Sequence, residues 1–103
     1  MMDFNDRIIY IASHHAQEQM VSRTKCQWNE AKEKIERLAN EGELLIEVDD
    51  YRYIKNGDLY LPCVQFTGKP SNYFRVKSVL TWDMVDYRIQ NIIDNYHLYK
   101  KVD

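Results

Sequence analysis

At 103 residues, 45% hydrophobic and 13% aromatic, the chain has the length of a single domain spanning residues 1–103 and enough apolar side chains for one core. Three Gly and two Pro are too few for a disordered or collagen-like chain. A formal net charge of -2 argues against a protein that coats nucleic acid broadly, because that affinity comes from Lys and Arg neutralising phosphates; a local basic face is still compatible with it.

Cys26 and Cys63 stand far apart in no CxxC or Cys/His ligand pattern, so neither a metal centre nor a disulfide-stapled secreted scaffold is expected. The loop at 67–72 holds Gly68 and Lys69 without the spacing of a phosphate-binding loop, so no nucleotide cofactor is expected either. Residues 1–7 lack the basic start and long apolar run of a signal peptide. No segment approaches the ~18–20 apolar residues that cross a bilayer. The expectation is a soluble cytoplasmic protein, with no membrane contact and with reduced thiols.

In chain order, Arg7 to Ala12 reads as a brief strand or extended lead-in. Ser13 then caps a first helix that begins at His14 and His15 and runs to about Arg23, with Ala16 and Met20 one turn apart as its buried stripe. Thr24-Lys25-Cys26-Gln27 has the spacing of a capping box for a second helix, along which Trp28, Ala31, Ile35, Leu38 and Ala39 recur at helical intervals. Glu30/Lys34 and Glu33/Arg37 are four apart in the favourable order, and Gly42 falls where a left-handed residue ends a helix.

The period then changes from 3.6 to 2. Leu44, Ile46 and Val48 alternate in one strand, Tyr51 to Lys55 forms the next, and Asn56-Gly57-Asp58 makes a hairpin turn. Leu59 to Phe66 is a third strand, which Pro62 assigns to an edge or to a bulge because it cannot donate to a ladder. Tyr73 to Thr81 is the fourth. Thr81 caps the last helix, with Asp83 at its N-terminus, Val85, Ile89, Ile92, Ile93 and Tyr96 as its stripe, and Lys100 and Lys101 at its end. The predicted fold is α+β: two N-terminal helices, a four-stranded antiparallel meander and a C-terminal helix.

Two regions carry chemistry. Alternation puts Tyr73, Arg75 and Lys77 on one side of their strand and Phe74 and Val76 on the other. Cations interleaved with an aromatic suit single-stranded RNA, whose bases stack and whose phosphates meet the charges. Tyr51, Arg52, Tyr53 and Lys55 add to that character, and the competing reading is a solvated sheet surface paired to Glu47, Asp49 and Asp50. The second region is the start of the first helix. Histidine is the side-chain type suited to acid–base work near neutral pH, so His15 can act as a general base toward a 2′-hydroxyl, with Arg23 two turns along as a cation for the phosphorane. The bland alternative is that one histidine packs and the other is solvated. Trp28 and Trp82 read as core anchors, and Cys26 as an inert thiol near a helix start.

Residues 8–23, I-I-Y-I-A-S-H-H-A-Q-E-Q-M-V-S-R, resemble the opening of a family of small domains of unknown function. Its pattern runs strand, S/T-x-H-A-x-x-R-M-x-x-R, then a second helix. The family is similar to the RelE/ParE and BrnT toxins of the barnase–colicin–RelE-like fold. Ser13, His15, Ala16, Met20 and Arg23 match, while Gln19 stands where the family has its first Arg. The resemblance implies a RelE-like fold and a toxin-like, RNA-directed role, either metal-independent endoribonuclease activity or binding to RNA or the ribosome. His15, Arg23 and Arg75 would be the catalytic set, with Tyr51, Tyr53, Tyr73 and Lys77 holding the substrate.

The acidic balance and eight tyrosines favour a second class, a non-enzymatic protein-binding module such as an inhibitor encoded by a phage or mobile element. A third reading is an antitoxin-like or accessory subunit that forms a homodimer through an exposed strand at 59–66.

Overall fold

The computed structural model describes the backbone of residues 7–100 and the side chains of residues 7–95. The expectations for residues 1–6 and for the Tyr96, Lys100 and Lys101 side chains lie outside the described residues. The elements are β1 (Ile9–Ala12), α1 (His14–Thr24), α2 (Trp28–Glu41), β2 (Glu43–Val48), β3 (Tyr51–Asn56), β4 (Leu59–Gln65), β5 (Tyr73–Val76), a 3-10 turn (Trp82–Met84) and α3 (Tyr87–Lys100). The fold class is α+β. Among the described residues no helix is long and apolar enough to cross a membrane.

The sheet has five strands in the order β1-β5-β4-β3-β2. β2 to β5 form the predicted antiparallel run, but β1 joins it as an edge strand parallel to β5, with Ile9 opposite Tyr73 and Ala12 opposite Val76. The lead-in at residues 9–12 is therefore part of the sheet. The chain leaves β1, runs through both helices and three strands, and returns beside it. That placement puts β4 in the centre, hydrogen-bonded to β3 and to β5, so β4 offers no free edge for a dimer.

Pro62 is tolerated there for a local reason. Pairing with β3 runs unbroken past it, whereas the β5 ladder stops at Cys63–Val76 and resumes only at the Tyr60–Leu80 bridge. The Pro62 carbonyl accepts from Lys77 N at 2.8 Å on that side, so the missing N–H falls in the gap.

Ser13 caps α1 as expected, its hydroxyl accepting from Ala16 N, and Ala16 and Met20 are fully buried. The capping box does not form. Thr24 instead donates back to the Met20 carbonyl inside α1, Lys25 closes that helix in the left-handed conformation, and α2 starts at Trp28 without a side-chain cap. Trp28 is 46% exposed, edge-on to His14, and is not a core anchor.

Gly42 is extended (φ −81°, ψ 175°), not left-handed. It is required by close approach: a Cβ there would lie 2.5 Å from Ile54 Cγ2 and 2.8 Å from the Lys55 carbonyl. The strict alternation of Leu44, Ile46 and Val48 also fails, because a bulge at Leu45 adds one residue. Leu44 pairs with Ile54 and Ile46 with Tyr53, so they face opposite sides of the sheet.

One face of the sheet packs on α1 and α2, with Met20, Ile35, Ile54, Leu61, Cys63 and Val76 at its centre. On the other, Ile46, Tyr53 and Val85 form a smaller cluster with Trp82, Ile89 and Ile93, placed there by α3 and the 3-10 turn. The predicted fourth strand ends early, at Val76. Asp86, not Thr81, sits at the start of α3, its carboxylate accepting from Arg88 N and its carbonyl from Gln90 N. Among the described residues α3 packs at the β2–β3 end, and none covers the β1–β5 half of that face.

Candidate nucleic-acid interface

The open half-face is built by register. Ile9, Tyr73 and Phe66 make one row across β1, β5 and the end of β4, and Ile11, Arg75, Val64 and Tyr51 make the next. Lys77 begins a third beside Pro62. Phe74 and Val76 point the other way and are buried, so the period-2 assignment of Tyr73, Arg75 and Lys77 to one side holds.

Each cation of this surface lies against an aromatic ring. Arg75 is 5.8 Å from the Phe66 ring centre and Lys69 is 5.9 Å from that of Tyr73. Lys77 donates to Tyr51 Oη at 3.0 Å while 5.4 Å from its ring centre, so it meets the hydroxyl more than the face. Exposed contacts of this kind contribute only about 0.5–1 kcal/mol each, weak enough for a ligand to rearrange. Among the described residues no carboxylate lies within 4.0 Å of Lys69, Arg75 or Lys77; the ion pairs that form are elsewhere. Of the competing ion pairs to Glu47, Asp49 and Asp50, Arg52–Glu47 forms, and among the described residues none reaches Arg75 or Lys77.

Arg52 does not join this surface. It points to the helix-covered face, donates to Glu47 and to Tyr10 Oη (3.2 Å), and its guanidinium lies over the Phe74 ring. Burial raises the Tyr10 hydroxyl pKa, against the opposing pull of Arg52. Tyr53 shares the open face but lies beneath α3, 7% exposed. Burial, with smaller contributions from Tyr51 and Asp86, pushes its hydroxyl up to about 12. Of the four substrate-binding residues expected, Tyr51, Tyr73 and Lys77 reach the open surface and Tyr53 is under the helix.

His15 is exposed on the first turn of α1 and borders two shallow depressions. It shares one of about 380 Å³ with Ser13, Arg75 and Lys77, and one of about 220 Å³ with Gln19 and Arg23. His15 is common to both depressions, one holding Arg75 and Lys77 and the other Arg23. Arg23 Nη2 donates to Met84 Sδ at 2.9 Å, and Nη1 is buried without a hydrogen-bond partner among the described residues. His14 also borders the larger depression, while its ring lies edge-on to Trp28 and its Nε2 is 3.8 Å from Glu18.

Gln19, the departure from the resembled pattern, has a structural role: its Oε1 accepts from Val79 N at 2.8 Å and ties α1 to the connection after β5. The sequence pattern does not single out Phe66, and Lys69 is set aside with its loop, yet both belong to this surface. The signal for Phe66 was present, since it continues the alternation of Val64. Cys26 and Cys63 are both free, Cys26 half-buried and Cys63 buried. Among the described residues no cluster of three or more His, Cys, Asp or Glu is placed to hold a metal. Comparison with family models, curated proteins and solved structures returns no match.

Proposed function

We propose that this protein is an RNA-directed domain that binds single-stranded RNA on the open half of its sheet. The observation that carries this reading is the set of cations Lys69, Arg75 and Lys77 on one uncovered face. They interleave with Phe66, Tyr73 and Tyr51, and no carboxylate lies within 4.0 Å of them among the described residues. The rings offer stacking surfaces to bases, and the cations meet phosphates, a division of labour that tolerates many sequences. The overall charge of -2 does not oppose it, because the acidic residues gather at the β2 edge and on the helices.

Metal-independent cleavage is a second reading, favoured by the place of His15 on the rim shared with Arg75 and Lys77. There the imidazole takes the proton of a 2′-hydroxyl, and the cations stabilise the negative charge on the phosphorane. Arg23, with Nη1 lacking a partner among the described residues, is the cation of the adjoining depression. A RelE-like relationship is part of this proposal, and it rests on Ser13, His15, Ala16, Met20 and Arg23.

The test is fluorescence anisotropy with labelled single-stranded RNA over a range of salt, beside gel assays of cleavage in EDTA. Binding with a steep salt dependence that Arg75→Ala and Lys77→Ala each weaken supports the RNA reading. Cleavage in EDTA that His15→Ala abolishes while binding is retained supports the catalytic one. RNA that is neither bound nor cut ends both.

A further inference from the structure

At the opposite end of the same face, the surface has the reverse chemistry. β2 is the outer strand of the sheet, and among the described residues its outward backbone groups pair with nothing. Residues 41–50 carry Glu41, Glu43, Glu47, Asp49 and Asp50 with no Lys or Arg. Beside this edge, a groove of about 480 Å³ runs between the β2–β3 turn and the first turns of α3. Its floor is apolar, and Val48 (54% exposed) and Ile92 (39% exposed) lie open in it. Its rim holds Asp49, Asp50 and Asp86, against the single cation Arg88, which is 3.6 Å from Asp86.

From these features we infer that the β2 edge and its groove form a docking site for an extended segment of a partner protein that alternates basic and apolar side chains. Three properties select that occupant. The free edge supplies main-chain hydrogen bonds to an added strand. The side chains of such a strand alternate in direction, so one set falls on Val48, Ile92 and the Asp49, Asp50 and Asp86 rim beside them, while the other falls on the face of Glu47. Charge complementarity excludes an acidic segment and disfavours β2 of a second copy, whose carboxylates would be laid against their own kind. The inference does not depend on RNA binding, although Tyr51 borders both surfaces. Arg75 lies on β5, three strands from β2, so roughly 14 Å away across the sheet.

The experiment uses the full chain and a fluorescent peptide of alternating Lys and Leu, with alternating Glu and Leu as the charge-reversed probe. Anisotropy is expected to show saturable binding of the basic peptide alone. Asp49→Asn combined with Asp50→Asn should weaken it about tenfold and flatten its salt dependence, taking each exposed charge pair as up to about fivefold. Val48→Lys, which removes an apolar contact and repels the peptide, should weaken it at least as much. Amide exchange should slow across Glu43–Val48 on binding, and Arg75→Ala should leave peptide affinity unchanged. Because Val48 and both aspartates are exposed, these variants should keep the wild-type melting curve, which circular dichroism checks.

Equal binding of both peptides, binding indifferent to these substitutions, or no saturation would overturn the proposal. So would sedimentation showing a dimer that Val48→Asp dissociates, since the occupant would then be a second copy. Loss of RNA binding in Arg75→Ala with peptide binding intact would leave both sites standing separately.

Discussion

Replacing Gln19 with Arg restores the cation of the resembled pattern and removes an acceptor that the fold uses. The Val79 amide donates to Gln19 Oε1 at 2.8 Å, and Val79 is fully buried. Arginine carries donors only, so this N–H loses its partner. An unsatisfied buried donor costs about 1–3 kcal/mol. The new charge also sits four residues before Arg23 on α1, adding about 0.2–0.5 kcal/mol of repulsion. The sum is roughly 1–3.5 kcal/mol. For a domain of this size each kcal/mol moves Tm by about 4–8 °C, so thermal unfolding followed by circular dichroism should show a drop of roughly 5–25 °C. Gln19→Glu keeps an acceptor and places an acid four residues before Arg23, so it should lie close to wild type. If Gln19→Arg melts within about 2 °C of wild type, the hydrogen bond has no structural weight and the argument for Gln19 as a tether fails.

The remaining predictions concern the open face, a glycine and the buried acids. Arg75→Ala and Lys77→Ala should each reduce RNA affinity and lower the slope of log affinity against log salt by about 1, read by anisotropy titrations at several salt concentrations. Gly42→Ala should destabilise by about 1–3 kcal/mol in urea unfolding, because the added methyl meets Ile54 and the Lys55 carbonyl while the backbone itself is unstrained. Burial pushes the Cys63 thiol up to about 12 from 9.0 and the Tyr53 hydroxyl up to about 12 from 10.0. Both are acids held neutral by the fold, with folded pKa above unfolded. Their contribution is therefore complete below pH 9 and lost as pH rises through about 12. Urea midpoints should fall over that alkaline range, and in Cys63→Ala the decline should begin nearer pH 10, where Tyr53 takes over.

Much of the molecule was legible because it is written in local periodicity. Ser13 as a cap, the Ala16–Met20 stripe, and the opposed directions of Tyr73, Arg75 and Lys77 against Phe74 and Val76 all follow from repeats of 3.6 or 2 residues. The same rule applied to β3 separates Arg52 from Tyr51 and Tyr53, so grouping the three together overlooked a signal that was there. Local chemistry also had competitors that one segment cannot rank. Thr24 had two acceptor–donor choices and took the α1 carbonyl at Met20, which moved the start of α2 to Trp28.

What the sequence determined by itself was the kind of each element, the cap of α1 and the side of the strand on which each β5 residue stands. The tertiary structure alone decided that β1 closes the sheet beside β5, that β4 is central despite Pro62, and that a bulge at Leu45 turns Leu44 and Ile46 to opposite faces. It also decided that α3 covers Tyr53 and leaves Tyr73, Arg75 and Lys77 open. The reason is range: a side chain's direction is set by its own backbone and its immediate neighbours. Which strand lies alongside, which helix covers it and which charge it meets are contacts between segments tens of residues apart, and those are settled only when the whole core packs at once.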